Sequence, residues 1–259
     1  MGCQDMNIQL NKNKSIGKVL YIVEGNRTEP FILQKLFTEI FDYQVEELLR
    51  DKGYFVFNSK ENLTSQVFVI NAEQSNIKYI DKDNEFLNNL FKELIEAYDF
   101  DVDNSAIYYL FDRDHRSNKD PNFIKNMLGI LKNARENENY DRQGLLLLSY
   151  PSIESFTLSN FRTDSFKLKF NFGGELKQYL HLQKINQDNI SEETLVFAIK
   201  ELLNAFNNIG IENYDIDDFG PCNMDIFTYE EKAFSNEHLY YALSLICISL
   251  IDLGLIEIL

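Results

Sequence analysis

Residues 105–116 read SAIYYLFDRDHR. Ser105 to Phe111 is apolar at nearly every position. Unbroken apolarity over so short a run predicts a strand buried on both faces, as a parallel sheet requires. Asp112 and Asp114 follow at once, with Arg113 between them. The same figure recurs on either side. Lys18 to Val23 reads as a buried strand and runs into Glu24 and Gly25. Leu145 to Leu148 reads as a third, followed by SYPSIESF with Glu154.

The segments between these strands carry helical spacing. Leu33, Leu36, Phe37 and Ile40 repeat at i, i+3, i+4, i+7, and Leu87, Leu90, Phe91, Leu94 and Tyr98 form a second stripe. Pro121 to Glu138 predicts a polar-surfaced helix, and Pro30 and Pro151 stand where proline favours a helix start. YFVF (54–57) and QVFVI (66–70) read as two further strands. Strands therefore alternate with helices from about Lys18 to Asn160, which predicts an α/β fold with a parallel sheet flanked by helices. The remainder changes character. Glu192–Phe206 and Glu230–Leu253 read as helices, so residues 161–259 are expected as a helical C-terminal subdomain packed on a 1–160 domain.

Composition narrows the classes. Hydrophobic residues make up 44% of 259, enough for a sizeable core. The three cysteines, Cys3, Cys222 and Cys247, show no CxxC spacing, so a reducing, cytoplasmic setting is expected. The N-terminus lacks the apolar run of a signal peptide, and Met6 stands where myristoylation needs Ser or Thr. Leu239–Ile251 is apolar but too short for a bilayer and is expected as a buried helix. The net charge of −16 argues against a chain that coats nucleic acid nonspecifically. It leaves room for an enzyme acting on nucleic acid with help from a partner, or for an acidic regulatory subunit that docks on a basic one. There is no GxGxxG, no Walker A motif, no HExxH and no serine nucleophile elbow.

The acids at the strand ends carry the chemistry. In an open parallel sheet the carboxyl ends of the strands line one crevice, where ligands bind. Carboxylates gathered there raise one another's pKa unless a cation joins them, and Mg²⁺ is a hard cation suited to oxygen ligands. Each acid also has a plain structural reading. Asp112 and Asp114 could cap a turn that Arg113, His115 or Arg116 neutralises. Glu29 and Glu154, in first helical turns, complement the helix dipole. Arg116, Lys167 and Lys169, with Arg162 and Lys177, could form a basic rim for a phosphate, or be solvated surface cations.

Taken in order, EGNRTEPF, FDRDH and SYPSIESF resemble the TOPRIM superfamily, and within it the RloB-like and AbiLii-type abortive-infection proteins. The matching positions are Glu24, Gly25, Thr28, Glu29, Pro30, Asp112, Asp114, Ser149, Pro151 and Glu154. Tyr150 stands where the third motif usually has Asn. The resemblance implies a TOPRIM-like sheet and Mg²⁺ (or Mn²⁺) held by Glu24, Glu29, Asp112, Asp114 and Glu154. It implies a nuclease with Glu24, Asp112, Asp114 and Glu154 as catalytic residues, cutting DNA or tRNA in bacterial antiphage defence beside an ABC- or OLD-type ATPase. The aromatic-rich C-terminal helices could support a homodimer.

Overall fold

The apolar run that begins at Ala106 forms one of the inner strands of a mixed, largely parallel sheet. The computed structural model describes residues 7–49, 54–72, 76–80, 85–135 and 144–259. Gly2, Cys3, Met6 and the far end of the helix expected to reach Glu138 lie outside the described residues.

Along the chain, β1 (Ile8–Leu10) and β2 (Lys18–Val23) lead to α1 (Thr28–Lys35), which continues through a π-helical turn to Ile40. β3 (Tyr43–Leu49), β4 (Tyr54–Ser59) and β5 (Gln66–Asn71) follow, then α2 (Glu85–Tyr98) and β6 (Ala106–Asp112). Next come α3 (Pro121–Ile130), β7 (Lys132–Asn133), β8 (Gly144–Tyr150) and α4 (Glu154–Phe161). The C-terminal part holds β9 (Lys169–Phe170), α5 (Gly173–Gln183), α6 (Glu192–Ile209) and α7 (Gly220–Glu237). β10 (Tyr240–Tyr241), β11 (Leu243–Ser244), α8 (Ile246–Asp252) and β12 (Ile256–Ile258) close the chain.

The main sheet runs in the order β11-β8-β6-β2-β5-β4-β3, with β7 beside β8. Its centre, β8-β6-β2-β5, is parallel, and β11, β7, β4 and β3 join antiparallel. Helices cover both faces, which is why the middles of the central strands are apolar on both sides. Tyr21 and Tyr108 are register partners and their rings stack at 5.1 Å. Their hydroxyls reach Ser249 and Asp252 of α8, and Phe37 packs on Tyr21. Phe68 pairs with Leu20, one position from Tyr21, and so faces the other side, where it meets Tyr98 and Phe100 at the end of α2.

Three expectations change. The apolar stretch after residue 238 is not one helix. His238 takes φ +56°, Tyr240–Tyr241 pair with β9, and Leu243–Ser244 form the edge of the main sheet against β8. Pro151 does not open a helix, because it follows β8 directly and α4 starts at Glu154. The helix at Pro121 ends at Ile130, where the chain turns into β7. The C-terminal part is woven into the rest: β12 pairs with β1, and one apolar core draws residues from both halves. No helix of the described residues is long and apolar enough to cross a membrane.

Candidate active site at the strand ends

β2, β6 and β8 are parallel neighbours, so Glu24, Asp112 and the turn before Glu154 come out at one edge of the sheet. The Glu24 N–H donates to Leu110 O, which carries the ladder one residue past β2. Its carboxylate turns to the neighbouring strand, where Oε2 accepts from the Asp112 N–H at 2.7 Å. Asp112 Oδ1 in turn accepts from the Ile153 N–H at 2.8 Å, at the start of α4. Asp114 Oδ1 accepts from Arg116 N–H within its own loop, and Oδ2 accepts from the Gly173 N–H at the start of α5, 3.0 Å away. Glu154 Oε2 accepts from the Ser152 hydroxyl at 2.7 Å. Glu24, Glu29 and Glu154 are all buried.

Two glycines give the site its close packing, Gly25 against the Glu29 carboxylate and Gly173 against Ser152. A Cβ on Gly25 would stand 2.1 Å from Glu29 Oε2, and a Cβ on Gly173 would stand 2.9 Å from Ser152 Cβ. Glycine at both places lets backbone approach a carboxylate closely. The helix starts also put partly positive N–H groups against Asp112 and Asp114, which offsets some of their repulsion.

What remains is a set of acids that burial makes reluctant to ionise. Burial pushes the Glu24 carboxyl up to about 8, the charges of Glu29 and Asp114 adding to it against the Asp112 hydrogen bond and the Lys177 ammonium. Burial likewise pushes Glu29 up to about 7, with Glu154 adding. Asp112 rises well above the usual range through burial, then through Glu24, Glu29 and Glu154. Burial lowers Lys177, yet the pull of Glu154, Asp112 and Glu29 is stronger and its net shift is upward.

Lys177 is the rim cation that reaches the acids, with Nζ 3.2 Å from Glu154 Oε1. Lys167 pairs instead with Asp164 at 3.0 Å, and Lys169 pairs with Glu237 at 2.7 Å and lies over the Tyr241 ring. Arg116 stays beside the site, its guanidinium 3.2 Å from the centroid of the Phe172 ring. Arg113 does not neutralise the aspartates that flank it. Alternation sends its side chain away from Asp112, to Glu231 on α7. His115 packs on Phe234 at 4.7 Å.

Among the described residues no three His, Cys, Asp or Glu side chains stand close enough to enclose a metal ion. Glu24 and Asp112 are joined through the Asp112 N–H, while Asp114 and Glu154 are each held by their own donors, Gly173 and Ser152. A groove of about 990 Å³ lies along Asn7–Lys14 and the start of α6. Its two acids, Glu192 and Glu193, are exposed, and Glu192 is already paired with Lys12, so the strand-end acids are the better chemical candidate. Comparison with protein-family models, with curated proteins and with solved structures finds no match. The site is therefore judged on its own chemistry.

Gly173 and Ser152 are the site residues that sequence reading does not single out, and Lys177 is expected only as one of several rim cations. The signal for Gly173 is faint: a Gly-Gly pair opening a helix. For Lys177 no local feature separates it from Lys167 and Lys169.

Proposed function

We propose that this chain is a metal-dependent nuclease of the TOPRIM-like, RloB-like or AbiLii kind, cleaving phosphodiester bonds in DNA or tRNA. On this reading it is a cytoplasmic effector of bacterial antiphage defence, controlled by an ABC- or OLD-type ATPase. One observation carries the reading: buried Glu24 accepts a hydrogen bond from the backbone N–H of half-buried Asp112 across adjacent strand ends, with Glu29, Asp114 and Glu154 around them. These are also the motif positions of the resemblance.

The donor set fits Mg²⁺ or Mn²⁺. Every candidate ligand is a carboxylate, and hard divalent cations take oxygen. Mg²⁺ uses one or two carboxylates plus waters and substrate phosphate, so it needs no closed protein cage. Of Asp112, Asp114 and Glu24, which do not close on one point, one or two would bind it directly and the rest through its waters, with Glu29 or Glu154 supporting a second ion. When bound, such an ion polarises the phosphoryl oxygen, activates water and stabilises the leaving oxygen.

The chain's own groups do the rest. Glu24 Oε2 stays fixed by the Asp112 N–H, which leaves Oε1 to take a proton from the attacking water. Burial raises its pKa, and beside a divalent cation that pKa would fall again, leaving the carboxylate ionised to accept that proton at neutral pH. Lys177, held at Glu154, supplies positive charge where a phosphate would approach. The test is cleavage by the pure chain with Mg²⁺ or Mn²⁺ of supercoiled plasmid, single-stranded DNA and total tRNA, with Glu24→Ala alongside. Cleavage lost in Glu24→Ala supports the reading. No cleavage of any substrate, with or without the ATPase, overturns it.

The net charge of −16 favours a second reading, in which the chain is a non-catalytic acidic subunit that docks on an ATPase. That reading expects binding to the ATPase and no cleavage from the pair.

A further inference from the structure

Resting on the nuclease reading, we infer that Arg113 is a positioning residue: through Glu231 it ties helix α7 to the loop that carries Asp112 and Asp114. Its side chain is 2% exposed, a rare burial for a guanidinium. Nε donates to Glu231 Oε1 at 2.7 Å and Nη2 to Glu231 Oε2 at 2.9 Å, the two-pronged geometry that fixes both distance and angle. Nη1 donates to Asn118 O at 2.7 Å. The Asn118 side-chain amide donates to Asp112 O at 2.9 Å, and the Asn118 N–H donates to Asp114 O at 2.9 Å. The loop is thus closed on itself, and α7 holds the closure. Phe227 and Tyr240 flank the guanidinium at 6.0 and 5.6 Å.

Stability alone does not account for this. A buried ion pair loses in desolvation much of what it gains in attraction, and apolar side chains of equal volume do as well. What the pair supplies is geometry. It sets the loop so that Asp112 meets the Ile153 N–H and Asp114 meets the Gly173 N–H.

The test is amide hydrogen exchange on the full chain, read residue by residue, with Mn²⁺ titration beside it. Glu231→Gln keeps the shape and removes the charge. Exchange at the Ile153 and Gly173 amides is expected to quicken about tenfold, on the order of one charge-assisted hydrogen bond. Mn²⁺ affinity is expected to fall by a similar factor. Glu192→Gln, which breaks the Lys12 pair on α6, should leave both amides unchanged. Arg113→Lys, keeping charge but not the fork, should reproduce Glu231→Gln; if it does not fold, Glu231→Gln carries the test. Unchanged exchange at both amides, or equal quickening across the whole sheet, overturns the inference. Failure of the nuclease reading looks different: the wild type would take up no Mn²⁺, while the two amides would still respond to Glu231→Gln.

Discussion

The Glu24 carboxylate accepts a hydrogen bond from the backbone N–H of Asp112 at 2.7 Å, so the acid ending one strand caps the end of the next. Charge and acceptor can be separated here. Glu24→Gln keeps an acceptor oxygen and should fold as the wild type does, while cleavage falls by about 10²-fold or more. Glu24→Ala also strips the Asp112 N–H of its partner and should cost about 1–3 kcal/mol. Paired cleavage and urea-unfolding curves check this. Wild-type cleavage by Glu24→Gln would remove Glu24 from the chemistry.

Stability should fall as pH rises, and metal should reverse the fall. Glu24 and Glu29 are raised from 4.5 to about 8 and about 7, and Asp112 is raised too, all chiefly by burial. The folded chain keeps protons that the unfolded chain has released, so stability declines as pH climbs through that window. Urea midpoints at pH 5 and pH 8 should differ in favour of pH 5. Millimolar Mg²⁺ should lift the pH 8 value, because a ligand of the folded state stabilises it. A midpoint that rises from pH 5 to 8 without metal would contradict the burial of these acids.

The strands and the acids at their ends were legible because both are local signals. Val19–Val23 and Ala106–Phe111 are apolar throughout, which a sheet covered on both faces demands, and a strand end follows from where the apolar run stops. Edge elements were harder. β3 reads YQVEELL, and its polar and exposed residues suit an edge strand without announcing one. β10 and β11 sit in an apolar run that helix spacing explains equally well, and only pairing with β9 and β8 breaks it. Long-range partners left no trace: Arg113 and Glu231 are 118 residues apart, and nothing near either names the other. The same holds for Lys177, whose choice over Lys167 depends on where α5 lands.

Gly25 should be as sensitive as the acid it faces. Any Cβ there would meet Glu29 Oε2 at 2.1 Å, so Gly25→Ala must drive the Glu29 carboxylate out of its place. The collision is with the end of a side chain, so the fold should survive with a loss of about 1–3 kcal/mol. If Glu29 supports a metal, Gly25→Ala and Glu29→Gln should lower cleavage by the same factor, about tenfold or more. The double variant should be no worse than either single one, since both remove the same group. Additive losses in that cycle would show that Gly25 acts on something other than Glu29.

The C-terminal part should unfold with the sheet and not before it. Tyr21 reaches Ser249 at 2.9 Å, Tyr108 reaches Asp252, and Arg135 binds both Asp252 oxygens at 2.8 Å. β11 then pairs with β8 at Tyr150 and Ser149, next to the turn that carries Glu154. Losing residues 240–259 would strip one face of the central strands and bare the edge of β8. A chain ending at residue 239 is therefore expected not to fold. In the full chain, circular dichroism and tyrosine fluorescence should report one coincident transition, tyrosine serving because the chain has no Trp. Asp252→Ala removes the carboxylate that accepts from the Tyr108 hydroxyl and Arg135, leaving Arg135 only the backbone carbonyl, and should lower stability by about 1–3 kcal/mol while keeping a single transition. Two separate transitions in the wild type would mean that the halves fold independently. The C-terminal helices would then be a module placed on the site, not part of the frame that holds it.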